Sequence, residues 1–165
     1  MMRQIIYLLS IIFFLFTLHS NAQNTGSDVS GPSAKSIYGE FGGPGLLSWN
    51  YDQRFKGQKG LGFRLGFGGI GFFGAGIFTV PVGLNYLSGS KGNYFEVGAG
   101  ASALTISDGR SLFSNDASTI IGFINFGYRY QPEKNGFTGR VFISPIISQA
   151  GVLPIYGGIS AGYKF

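Results

Sequence analysis

Residues 46–55 read LLSWNYDQRF. Leu47, Trp49, Tyr51 and Phe55 share one parity, and Ser48, Asn50, Asp52 and Arg54 share the other. Successive side chains of an extended chain point to opposite faces, so the stretch is a strand with one oily and one charged face. Which face looks inward decides the fold, and the rest of the chain has to answer that.

The same alternation recurs to the last residue. In SIYGEFG, Ile37 and Phe41 oppose Tyr38 and Glu40; in LGFRLGFG, Leu61, Phe63, Leu65 and Phe67 oppose Gly62, Arg64, Gly66 and Gly68. IFTVPVGLNYL sets Phe78, Val80, Val82, Leu84 and Tyr86 against Thr79, Pro81, Gly83 and Asn85, and NYFEVGAGAS sets Phe95, Val97, Ala99 and Ala101 against Tyr94, Glu96, Gly98, Gly100 and Ser102. STIIGFINFGYRY places Ile120, Ile124, Phe126, Tyr128 and Tyr130 opposite Phe123, Asn125, Gly127 and Arg129. FTGRVFIS opposes Phe137, Val141 and Ile143 to Thr138, Arg140, Phe142 and Ser144, and the final YGGISAGYKF puts Ile159, Ala161, Tyr163 and Phe165 opposite Ser160, Gly162 and Lys164. That makes eight strands. Short, charged, Gly-rich connections at 56–60, 88–92 and 131–136 alternate with the stretches 69–76, 104–117 and 146–154, and only the connection near Gly42–Gly45 breaks that rule. Strands running up and down between a short-turn side and a long-loop side produce such an alternation.

Sidedness follows from what fits. An eight-stranded barrel has an interior just wide enough to be filled by side chains. The face that intersperses glycine with Glu40, Asp52, Arg54, Arg64, Glu96, Arg129, Arg140 and Lys164 suits that space, because small positions leave room for long charged ones. The continuous Phe, Leu, Val, Ile and Tyr face then looks outward, and the solvent that accepts it is lipid. A closed barrel is one of the few ways a chain crosses a bilayer, since every backbone N–H and C=O finds a partner on the next strand. Segments of eight to twelve residues match the ~9–11 that a tilted strand needs to cross the hydrocarbon. Aromatic residues near the short-turn ends, Phe55, Tyr86, Phe95, Tyr128, Tyr130, Phe137, Tyr163 and Phe165, are expected to form an interfacial girdle.

Composition agrees. Among 165 residues there are 29 Gly, 17 Phe and 9 Tyr, and only 12% are charged. Glycine and aromatics disfavour helix, whereas aromatic and β-branched residues suit a pleated sheet. The formal net charge of +5 is spread singly, with no basic cluster, which argues against nucleic acid as a partner. Residues 1–22 are of another kind. Arg3 precedes the apolar run of residues 5–18, and Ser20 and Ala22 give a small-x-small cleavage pattern, so 1–22 is read as a secretory signal peptide. Residues 23–35 form a polar leader, and 36–165 form the barrel. With no Cys, the chain has neither a lipid-attachment thiol nor a disulfide framework.

With its apolar signal, eight alternating segments and terminal GYKF, the chain resembles the small bacterial outer-membrane β-barrels of the OmpA/OmpX type. The resemblance implies a bacterial outer-membrane location, lipid as surroundings, and recognition of Tyr163 and Phe165 by the barrel-assembly machinery. It covers residues 36–165, and no peptidoglycan-binding domain is expected after the barrel.

Other signals fail their context. Gly66-Phe67-Gly68-Gly69-Ile70-Gly71 fits a dinucleotide fingerprint, yet no helix and no suitably placed acid follows. Residues 65–90 and 141–163 carry no charge, but their period is two and they contain prolines, so they are not spanning helices. The sole His, His19, lies in the signal segment, which removes Ser–His chemistry and the usual soft metal ligands from the remainder. Glu40 and Glu96 are expected to be ion-paired filling rather than an acid–base pair. No cofactor and no metal are expected. The expectation is a non-enzymatic envelope protein with a filled lumen, structural or binding an external ligand through loop 104–117. A narrow pore or small lipophile carrier is the alternative, and a lipid-modifying enzyme lacking histidine is the third reading. Neither the oligomeric state nor the ligand is specified by these residues.

Overall fold

A computed structural model describes residues 32–72, 75–107 and 118–165. The signal peptide and most of the leader lie outside the described residues, as does most of loop 104–117. The strands are β1 (Lys35–Gly42), β2 (Leu47–Arg54), β3 (Gly60–Phe72), β4 (Ala75–Ser90), β5 (Asn93–Ser107), β6 (Ser118–Tyr130), β7 (Gly136–Ile143), β8 (Ile146–Ser148), β9 (Gly151–Leu153) and β10 (Gly157–Lys164). All neighbours are antiparallel. β1 through β7 pair in sequence, β7 pairs with β10, and β10 returns to β1 with the register Ser36↔Lys164 to Gly42↔Gly158, which closes the sheet.

Ten segments make eight staves. β7 and β8 are one stave interrupted at Ser144–Pro145, and β9 and β10 are the next, interrupted around Pro154. Proline has no N–H for a ladder, so each interruption falls where one occurs. Pairing bridges the gap all the same: Ser144 N–H donates to the Tyr156 carbonyl at 2.5 Å, and Ile124 N–H donates to the Pro145 carbonyl at 3.1 Å. The β3–β4 ladder likewise skips positions 80 and 81, where Pro81 sits.

Residues 104–107 of the expected loop 104–117 belong to β5 and pair with β4 from Thr79↔Leu104 to Gly76↔Ser107, and three further connections depart from the expectation. Residues 69–72 and 75–76 are not loop but strand, paired from Gly69↔Phe78 to Phe72↔Ala75. Residues 146–154 are a β8–β9 hairpin rather than an open loop. Glycine-rich sequence reads as loop because it carries no side-chain pattern, but once one strand of a hairpin is held in register the backbone hydrogen bonds extend it. The connection after β4 is tighter than expected, a two-residue turn at Lys91–Gly92 with φ of 54° and 84°. Two positive φ values in a hairpin match the right-handed strand twist, and glycine takes its half without strain.

The β1–β2 connection is a buried 3-10 turn, Gly43–Gly45, entered through Gly42 and Gly43 at φ 82° and 66°. Its Gly45 carbonyl accepts from Thr79 Oγ1 at 2.9 Å. A Cβ on Gly43 would strike the Phe142 ring. The turn therefore folds into the mouth of the barrel.

Sidedness is as read from the sequence. Phe41, Trp49, Phe67 and Val141 are 60–66% exposed on the outside, whereas Arg54, Arg64, Glu96 and Arg129 are at most 1% exposed inside. A charge on the outer band should therefore cost folding into lipid. Leu65→Arg is expected to destabilise the barrel by about 2–4 kcal/mol in lipid vesicles, read by urea titration. The same change at the rim position Phe137 is expected to cost ~1 kcal/mol or less.

Candidate functional site

The lumen brings together seven of the eight charged residues named from the sequence, and the eighth, Lys164, is buried at the mouth. The seven come from β1 (Glu40), β2 (Asp52, Arg54), β3 (Arg64), β5 (Glu96), β6 (Arg129) and β7 (Arg140). The inward parity of each stave delivers them, and the closed sheet forces them to meet.

They form one chain of alternating sign. Arg64 donates to both Glu40 oxygens at 3.3 and 3.4 Å. Arg140 Nη2 also donates to Glu40, and its Nη1 donates to Glu96 Oε1 at 2.6 Å. Glu96 Oε2 accepts from Arg129 Nη1 at 3.5 Å, and Arg129 Nη2 reaches Asp52 Oδ1 at 3.2 Å. Asp52 closes the sequence by accepting from Arg54 Nη2 at 2.8 Å. The order is Arg64, Glu40, Arg140, Glu96, Arg129, Asp52, Arg54, with a guanidinium at each end.

Register alone does not dictate these partners. Arg64 lies directly across from Asp52 on the adjacent strand yet pairs with Glu40. Arg129 and Arg140 lie directly opposite each other, an arrangement that repels unless a counter-charge intervenes. Glu96 is that counter-charge, since it accepts from both.

Several partners were not in the expected network. Asn85 Nδ2 donates to Asp52 at 2.6 Å and to Glu96 at 3.3 Å, while its Oδ1 accepts from Arg54. Ser36 Oγ accepts from Arg129 at 2.8 Å. The Tyr38 ring lies between two guanidiniums, 5.1 Å from that of Arg140 and 5.9 Å from that of Arg129. Arg140 also packs 4.4 Å from the centre of the Phe142 ring, and Arg64 packs 5.4 Å from that of Phe123. Desolvated contacts of this kind are worth about 2 kcal/mol each. All of these residues share the parity of the charged ones, so the alternation marked them as lumen-facing without ranking them.

Below the network the turns themselves close the mouth. Lys164 Nζ donates to the carbonyls of Pro132, Glu133 and Lys134 at 3.0, 2.8 and 3.2 Å. Gln131 Nε2 donates to the Gln58 carbonyl at 2.8 Å, and Arg54 Nη1 donates to the Gly60 carbonyl at 2.9 Å. On the outside, Phe55, Tyr86, Phe95, Tyr128, Tyr130, Phe137, Tyr163 and Phe165 are all exposed. Phe95 pairs across from Tyr128 and Phe137 from Tyr163. Phe55 stacks on Phe63 with ring centres 6.1 Å apart. Among the described residues no group of three His, Cys, Asp or Glu side chains is placed to hold a metal.

Among solved structures, the chain is similar to the N-terminal β-barrel domain of Pseudomonas aeruginosa OprF. The TM-score is 0.59 at 15% identity, over 81% of this chain and 96% of that one. The fold is that of a small outer-membrane β-barrel. Ail, the attachment invasion locus protein of Yersinia pestis, aligns over the same shares at a TM-score of 0.45 and 16% identity. No family model and no curated protein matches the chain. In a closed barrel of eight staves, the side-chain lattice just described fills the bore.

Glu96 sits at the middle of that lattice. Glu96→Ala is expected to destabilise the folded barrel by about 3–5 kcal/mol in a urea titration, because it leaves Arg129 and Arg140 buried face to face without their shared acceptor. Replacing Arg140 as well, as Glu96→Ala with Arg140→Met, is expected to recover part of that loss.

Proposed function

We propose that this chain is a non-enzymatic integral protein of the bacterial outer membrane, a plugged barrel whose role is exercised by its surface and outer loops rather than by transport. One observation carries the reading: the seven-residue ion-paired chain from Arg64 to Arg54, every member at most 4% exposed, occupies the lumen. Each buried charge costs several kcal/mol when unmatched, so the lattice resists opening. The inward Gly43–Gly45 turn adds a lid at one mouth, and Lys164 with Gln131 ties the turns at the other. The outward aromatics, from Phe55 to Tyr163, serve as interfacial anchors in this reading.

Small-lipophile carriage has one feature in its favour, an apolar groove of about 570 Å³ lined by Phe41, Leu46, Ile70, Phe142, Tyr156 and Ile159. Saturable uptake of a fluorescent fatty acid by lipid vesicles that hold the folded barrel, absent from vesicles without it, is the result that would prefer it. For the enzyme reading, the test is mass spectrometry of envelope lipids on overproduction, with unchanged lipid A and phospholipid expected.

Planar-bilayer recording tests the plug directly. The purified protein is expected to give no reproducible single-channel steps, whereas a triple Glu40→Ala, Glu96→Ala, Arg140→Ala variant is expected to conduct. Well-resolved steps from the unmodified protein would overturn the plugged reading.

A further inference from the structure

Charge on this barrel is distributed unevenly between its two rims. Among the described residues, every charged side chain outside the lumen lies at the rim of the β2–β3, β4–β5 and β6–β7 turns. Lys35 opens β1, Lys56 and Lys59 lie in the β2–β3 turn, Lys91 forms the β4–β5 turn, and Glu133 and Lys134 lie in the β6–β7 turn. Lys35, Lys56, Lys91 and Lys134 are exposed. Among the described residues Glu133 is the one acid at that rim, and the described part of the opposite rim carries no charge at all.

We infer that the lysine rim is a binding surface for the anionic head groups of phospholipid in the leaflet that meets the short turns. This rests on the membrane reading above and adds to it a ligand class and a location. Two observations carry it. The lysines are spread around the whole circumference, one or two at every junction of that rim, which suits a leaflet that surrounds the barrel better than a compact partner that docks on one side. They lie just beyond the aromatic band: Lys56 follows Phe55, Lys91 shares its turn with Gly92, which lies beside the Tyr130 ring, and Lys35 hydrogen-bonds through its backbone to Phe165. A lysine there can lay its stem on aromatic surface and raise its ammonium to phosphate depth. Lys164, by contrast, is spent on the carbonyls of the β6–β7 turn and is not part of the surface.

The test uses the full barrel in nanodiscs of equal parts phosphatidylglycerol and phosphatidylcholine with the same acyl chains. After a mild detergent wash, native mass spectrometry counts the retained lipids. Phosphatidylglycerol is expected to be enriched about five-fold, the equivalent of ~1 kcal/mol for a lysine at an anionic surface. The enrichment should fall to parity in the Lys35→Gln, Lys56→Gln, Lys91→Gln, Lys134→Gln variant and should weaken in high salt. Equal retention of the two lipids by the unmodified protein overturns the inference, as does enrichment that survives the four substitutions. Sedimentation with peptidoglycan that depends on the same lysines, with lipid retention at parity, overturns it in favour of a wall polymer. Heat-modifiability on SDS gels, run on the same nanodiscs, separates the two levels. A folded, lipid-embedded barrel without enrichment removes only the lysine assignment, whereas no folded species in lipid removes the membrane reading itself.

Discussion

Closure of β1 onto β10 is the constraint from which the rest of the molecule follows. Seven consecutive residue pairs, from Ser36↔Lys164 to Gly42↔Gly158, abolish the two edges that a sheet of this length would otherwise expose. In hydrocarbon an unpaired N–H or C=O has no water to turn to, so an open edge there would be untenable. Closing at eight staves also fixes the bore, and the bore sets the size of what can lie within it. The inward positions therefore trade volume with one another. Gly66 makes room for Asn50, and Gly83 and Gly100 make room for the Phe123 ring; a Cβ at any of these would meet that neighbour.

The interior resolves a second conflict. Long polar side chains are needed to fill the bore, but burying charges is unfavourable unless each meets its opposite with good geometry. Alternation of sign along the lumen meets that demand, because each carboxylate serves two guanidiniums and each inner guanidinium serves two carboxylates. Aromatic faces from Tyr38, Phe123 and Phe142 take up the flat sides of the arginines that the carboxylates do not reach. The result is a core held by ions and rings where a water-soluble domain would use aliphatic packing.

Much of this was legible in the residues themselves. The period-two alternation of Leu47 and Trp49 against Asp52 and Arg54 gave both the strand and its sidedness, because parity is a local property of an extended chain. The membership of the charged network was legible for the same reason. Its pairings were not. Arg64 reaches Glu40 rather than the facing Asp52, and that depends on stave tilt and closure, which no local stretch encodes. Residues 69–72 read as loop because Gly69 and Gly71, following Gly66 and Gly68, leave only Ile70 and Phe72 to carry a pattern. The inward dip of Gly43–Gly45 was invisible too, since a Gly-Pro-Gly turn is equally at home outside. Asn85 showed its face but not its importance, which comes from standing within reach of Asp52, Arg54 and Glu96 together.

The lattice is not electrically balanced. Four guanidiniums, on Arg54, Arg64, Arg129 and Arg140, face three carboxylates, on Glu40, Asp52 and Glu96, which leaves the seven-residue lattice with one surplus positive unit. Rings of basic side chains admit anions and turn cations away. Any brief breach of the plug would thus be permselective, with chloride entering ahead of sodium, and the barrel would fail as a poor anion leak before it failed as a hole.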